Sequence, residues 1–140
     1  MWEASDDILD LDSTPEMRAA SDLLLKAAES IAEYSVPLKK VESACATSCF
    51  DGVKDHWNMP RSQLTTVMSC IEKCEEPMEA VGVVVDDERN KIVEATTNCL
   101  ERCSEEDEVC GSRCITSTIS QDRVQNMVDR VRSRIDRFRY

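Results

Sequence analysis

The chain carries eight cysteines, and all fall in pairs with three residues between: CATSC at 45–49, CIEKC at 70–74, CLERC at 99–103 and CGSRC at 110–114. Thiols in such numbers can cross-link, hold a metal or exchange electrons. Residues four apart share one face of an α-helix. Each motif can therefore present two thiols along one stripe, about 6 Å apart along the axis. Two such helices laid antiparallel can be stapled by two disulfides. Eight cysteines allow about a hundred connectivities, so sequence alone leaves the pairing open. For antiparallel helices the simplest choice joins outer to outer and inner to inner. That gives Cys45–Cys74 with Cys49–Cys70, and Cys99–Cys114 with Cys103–Cys110. The first hairpin would enclose twenty residues between Cys49 and Cys70, the second only six between Cys103 and Cys110. A short αα turn can close the second. Each bridge would stabilise by about 2–4 kcal/mol. A bridge inside one motif is disfavoured, because i,i+4 side chains on an intact helix rarely meet disulfide geometry.

The other thiol chemistries fit less well. Structural zinc sites commonly use knuckle turns or added histidines, and the sole histidine, His56, sits beside Trp57 in a turn-like segment and reads as a surface residue. Thioredoxin-like centres need two intervening residues and a βαβ setting. No Gly-rich phosphate loop, HExxH or GxSxG occurs. Acid pairs such as Asp86 and Asp87 lie in charged helical text and read as solvated. The expectation is a protein with no catalytic residues, metal or cofactor.

The elements that must position the thiols read as helices. Aromatics make up 4%, and there are only 3 Gly and 4 Pro, too few breakers for a turn-rich β fold. Residues 1–12 form an acidic extension, and 13–140 a single helical domain. Ser13 to Glu16 resembles a capping box with Pro15 in the first turn. Met17, Ala20, Leu24, Ala27, Ile31 and Tyr34 then recur at helical steps. Pro37 is expected to end or kink that helix, and a second piece over 38–54 carries Cys45 and Cys49. A helix from about 60 to 75 bears Cys70 and Cys74. Pro77 is expected to mark a break before a helix over 78–104 with Cys99 and Cys103. The valines at 83–85 lower helix propensity locally, but length favours a helix. Ser104 and Asp107 resemble a second capping box before Cys110 and Cys114, and the TSTIS patch from Thr116 could fray. The hairpins are thus expected over 38–75 and 78–120. Over 121–140, Val124, Met127, Val131, Ile135 and Phe138 form an apolar stripe with Arg130 and Arg134 beside it. This stripe can pack on the chain's own core or on a partner, and these seven residues are the candidate partner contacts. The expected fold is all-α: antiparallel hairpins stapled between CxxxC motifs, with long helical extensions at both ends.

The formal charge is −11, which disfavours nucleic acid as a partner. It is uneven: residues 72–108 hold thirteen acids and four bases, whereas 123–140 hold six arginines against Asp129 and Asp136. Both regions can be solvated faces; alternatively the basic end docks on an acidic partner or anionic lipid. The longest apolar run, Ala80 to Val85, is far short of the roughly 20 residues of a transmembrane helix. If Met1 is the true start, MWEASDDILDLD resembles neither a signal peptide nor an Arg-rich transit peptide. Paired cysteines nevertheless ask for an oxidising compartment. The mitochondrial intermembrane space meets both conditions.

SCIEKCEE at 69–76 and NCLERCSEE at 98–106 echo one another: Cys, apolar, Glu, basic, Cys, then acids. With the intervening text, residues 69–106 resemble the family-with-sequence-similarity-136 group, small helical mitochondrial proteins with four CxxxC pairs. More distantly the chain resembles the twin CxxxC proteins such as the small Tim chaperones, which have two pairs. The resemblance spans about 40–115 and matches Cys70, Cys74, Cys99 and Cys103, with Cys45, Cys49, Cys110 and Cys114 as the outer pairs. The gap between the third and fourth pairs is shorter here, and 1–40 and 115–140 are additional. The resemblance implies an intermembrane-space address and no defined enzymatic activity. The expected role is an accessory subunit of a large inner-membrane complex, peripheral to the membrane and in contact with other subunits. A soluble chaperone or assembly factor is the alternative, then a metal carrier.

Overall fold

A computed structural model describes residues 14–138, and the acidic extension expected over 1–12 lies outside them. Four helices follow in order: α1 (Pro15–Ser48), α2 (Arg61–Glu101), α3 (Glu108–Thr118) and α4 (Gln121–Asp136). No strand occurs among the described residues. The all-α expectation holds.

Side chains start three of the helices. Thr14 Oγ1 accepts the Met17 N–H at 3.2 Å, with Pro15 and Glu16 in the first turn of α1. The cap is thus Thr14, one residue beyond the expected Ser13. Asp107 Oδ1 accepts the Cys110 N–H at 3.1 Å and starts α3. The Ser104 box is therefore not used as a cap; Asp107 itself supplies the acceptor. Ser120 Oγ accepts the Arg123 N–H at 3.2 Å and starts α4. Such caps satisfy backbone donors that have no partner within the helix. The break expected in TSTIS falls at Ile119 and Ser120.

Neither internal proline ends a helix. α1 continues through Pro37 and α2 through Pro77, so the pieces expected over 60–75 and 78–104 are one helix of 41 residues. A proline removes one intrahelical bond and crowds the preceding turn. Here packing holds the helix on both sides of each proline. Ser35 and Leu38 flank Pro37, Cys74 and Val81 flank Pro77, and all four are buried.

α2 is the spine, about 60 Å long at 1.5 Å per residue. Cys70 and Cys99 are 29 residues apart on it, close to eight turns at 3.6 residues each. Cys70 and Cys99 therefore face the same way, and Cys103 lies just past the C-cap Arg102. α1 lies antiparallel along its first part. α3 and α4 together make a third rod, antiparallel to α2: Thr118 meets Thr96, and Arg130 meets Glu88. The same rod runs with α1, since Arg132 meets Ser30 and Asp136 meets Tyr34.

The main core forms where three rods overlap. Ala27, Ile31 and Leu38 of α1 meet Val81 and Val85 of α2 and five residues of α4. Those five are Val124, Met127, Val128, Val131 and Ile135. Of the two covers the sequence left open for this stripe, the chain's own core is the one found, and the stripe is its middle. Met127, Val131 and Ile135 are 1% exposed or less. Past Leu38 and Val81 the third rod ends, leaving a two-helix stalk that carries the first pair of disulfides.

Candidate functional site

The stalk and the α2–α3 end each carry a two-rung ladder of disulfides. In the stalk, Cys45 bonds Cys74 and Cys49 bonds Cys70, with Cα–Cα distances of 5.7 Å in both. At the other end Cys99 bonds Cys114 and Cys103 bonds Cys110, at 5.6 and 5.7 Å. These spacings sit in the usual range for bridged cysteines. The outer-to-outer, inner-to-inner pairing is the one antiparallel helices make simplest, and no free cysteine remains.

The two ladders share one internal arrangement. In each, one cysteine is buried: Cys74 at 6% and Cys114 at 1%. Each buried sulfur also lies close to a sulfur of the other rung. Cys49 Sγ is 3.7 Å from Cys74 Sγ, and Cys103 Sγ is 3.7 Å from Cys114 Sγ. The equivalent trios Cys49, Cys70, Cys74 and Cys103, Cys110, Cys114 each hold their sulfurs within 4.8 Å of one another. The bonded sulfurs are neither nucleophiles nor ligands, so the arrangement as it stands is a cross-link. An open groove of about 570 Å³ runs beside the second ladder, lined by Cys99, Cys110, Asp107 and Arg113 among others.

Of the seven candidate partner contacts, five pack into or against this chain's own core, and Arg130 stays exposed while bonded to Glu88. Val124, Met127, Val131 and Ile135 are buried in the core, and Phe138 packs against it half-buried. Arg134 lies over the Phe138 ring at 5.8 Å. Arg130 donates through Nε and a terminal nitrogen to the two oxygens of Glu88, at 2.8 and 2.7 Å. The reason is the stripe's periodicity: side chains at three- and four-residue steps form one face, and that face met α1 and α2 first.

Glu88 was missed in the sequence, although Val81, Val85, Glu88 and Ile92 continue one stripe of α2. It is 4% exposed. The hydrogen bonds from Arg130 hold its carboxyl below the ordinary carboxylate range against the opposing effect of burial, aided by the charges of Arg130 and Lys91. The same hydrogen bonds raise Arg130. α4 is tied to α1 as well: Arg132 donates to Ser30 Oγ at 2.6 Å and stacks over the Tyr34 ring, whose hydroxyl donates to Asp136. His56 is exposed in the stalk loop, tilted against Phe50 at 5.9 Å. Asp86 and Asp87 are exposed, and Asp87 pairs with Lys91 at 3.3 Å. Among the described residues no helix is long and apolar enough to cross a membrane. Compared with protein-family models, curated proteins and solved structures, the chain matches none.

Proposed function

We propose that the chain is a non-catalytic accessory subunit of a large mitochondrial inner-membrane assembly, a respiratory complex or ATP synthase, on its intermembrane-space side. The observation that carries this reading is that all eight cysteines are bonded between helices. Such bridges form and persist in oxidising compartments. The resemblance to four-CxxxC mitochondrial proteins supports the address, and the long stapled spine suits a spacer between larger bodies. Because the α4 stripe is internal, partner contacts fall to side chains that stay exposed. Trp57, Leu64 and Met68 are such residues near the stalk, and Leu100 and Val109 near the second ladder. Arg123 on α4 and Arg137 at its C-cap are exposed and are the groups proposed to meet anionic lipid.

Native electrophoresis of gently solubilised mitochondria tests the proposal. The chain should migrate with one large complex, and crosslinking should capture a fixed set of neighbours. Migration only as free monomer would overturn it. Capture of many unfolded membrane-protein precursors would instead favour the chaperone reading.

A further inference from the structure

We infer that one exposed face of α2 pairs with the same face of a second copy of this chain, the two helices antiparallel about a two-fold axis at Gly82. The inference goes beyond the proposed role and does not depend on the host assembly. Its basis is a symmetry in the register of α2. Leu64 and Leu100 lie 18 residues to either side of Gly82, Ile71 and Val93 lie 11, and Glu75 and Arg89 lie 7. In an antiparallel pair centred at Gly82, each meets its counterpart on the other copy: leucine on leucine, isoleucine on valine, carboxylate on guanidinium. Two-fold symmetry makes each contact twice and needs one surface that complements itself. At 100° per residue all seven residues fall within a strip about 40° wide. The strip lies about 120° round the helix from Glu88, which takes Arg130 from α4.

The chain's own fold leaves this strip open. Leu64, Val93 and Leu100 are exposed, and Ile71, Glu75 and Arg89 are half-buried. A glycine in the middle of a helix lowers its stability relative to alanine. A Cβ at Gly82 would meet open space among the described residues, so intrachain packing does not call for the glycine. A second backbone approaching closely at that point does. Arg89 has contacts within its own chain, and its five N–H donors let it take a carboxylate of the other copy as well. The two intervening layers are mixed, Met68 with Thr96 and Met78 with Asp86, and oppose no like charges. Glu79 and Asp86, the acids beside the axis, are exposed at the rim, where solvent screens them.

A different protein could cover the same apolar side chains. It would not require Leu64 to match Leu100, or Glu75 to match Arg89, within one helix. Matching about a single residue serves only a contact between identical chains. Size sets the strength of that contact. From Leu64 to Leu100 the strip is about 54 Å long at 1.5 Å per residue, and a helix about 10 Å wide gives roughly 500 Å² per chain. A total of about 1,000 Å² is the lower bound for a specific interface. The dimer is therefore a reversible one.

Sedimentation equilibrium of the full-length oxidised chain should show monomer and dimer exchanging over about 1–100 µM. Glu75→Arg and Arg89→Glu should each weaken self-association about tenfold or more, because each sets like charges together twice across the axis. Mixed one to one, the two variants should associate with each other as the parent does, since each supplies the charge the other lacks. Gly82→Ala should melt higher than the parent where both are monomeric, yet dimerise more weakly. Gly82→Cys gives a geometric readout: on mild oxidation it should form a covalent dimer about tenfold faster, or more, than Val83→Cys, which lies on another flank of α2. A chain still monomeric at about 100 µM, a dimer indifferent to both charge reversals, or folded variants that fail to associate when mixed would overturn the inference. If Arg89→Glu does not fold, cross-linking of Gly82→Cys no faster than that of Val83→Cys would do the same.

Discussion

Glu88 is the only buried ionic side chain among the described residues, and its partner is unequal to it in exposure. The Glu88 side chain is 5% exposed, whereas that of Arg130 is 54% exposed. Little is therefore lost by desolvating Arg130, and much would be lost by stranding Glu88. Arg130→Ala removes a bidentate, charge-assisted contact and leaves the carboxylate only the Lys91 ammonium, 3.6 Å away and itself mostly exposed. The expected loss is about 1–3 kcal/mol, below the full cost of breaking a wholly buried pair. The pH dependence has a definite sign. The Glu88 carboxyl is depressed in the folded chain, so its contribution is complete above the unfolded value of about 4.3 and is lost as pH falls through the folded value. Melting curves of the parent and Arg130→Ala should differ most near neutrality and converge as the solution is acidified below that value. A gap that stays constant with pH would show that the carboxylate–guanidinium pair is not its source.

At the level of elements, stability is unevenly supplied. α3 has 11 residues, and its buried members are Cys114 and Thr118. A helix that short is marginal by itself, and the Thr96–Thr118 hydrogen bond at 2.8 Å is a modest tie. α3 packs against α1 as well as α2, and the second ladder supplies the covalent part of its hold. The stalk beyond Leu38 and Val81 has no third rod, so the first ladder must do the same for the ends of α1 and α2. Amide hydrogen exchange should resolve this. Replacing Cys99, Cys103, Cys110 and Cys114 with Ser should strip protection from 108–118 and leave 124–135 protected. Replacing the other four cysteines should do so around 41–78 and leave 81–92 protected. Protection unchanged in either variant would mean that packing, not sulfur, secures that end. The ladders were legible in the sequence because i,i+4 thiols admit few helical arrangements, and the break after Thr118 was legible in its run of Thr and Ser. Pro37 and Pro77 misled because a proline's local penalty says nothing of the packing on either side, and here two long helices absorb it. The partner stripe was ambiguous for a related reason. An amphipathic face shows that something will cover it, but Val124 through Ile135 do not encode whether that cover is α1 or another chain. Glu88 hid in DDER, where three neighbouring charges look alike until the register of α2 separates them.

The whole molecule divides into a three-rod body and a two-helix stalk, and α4 makes the difference. It places five apolar side chains at the centre of the body, each worth about 1.5–3 kcal/mol on full burial. Their sum is on the order of 10 kcal/mol, comparable with the entire stability of an ordinary domain. Removing 121–140 also uncovers Ile31, Leu38, Val81 and Val85, and takes the Arg130 guanidinium from Glu88. The ladders cannot compensate, because they lie at the ends and contribute no residue to this core cluster. The truncated chain should keep its four bridges yet lose cooperative melting, bind an apolar dye and show increased exchange along 27–38 and 81–92. Association with any partner should fail as a consequence of the collapsed body, not of a missing docking helix. A single exposed substitution such as Arg123→Glu, which touches no core residue, separates the two effects: it should leave melting unchanged. If the truncated chain melts as sharply as the parent while only its association is lost, then α4 is a docking element after all and the body is held by α1 and α2 alone.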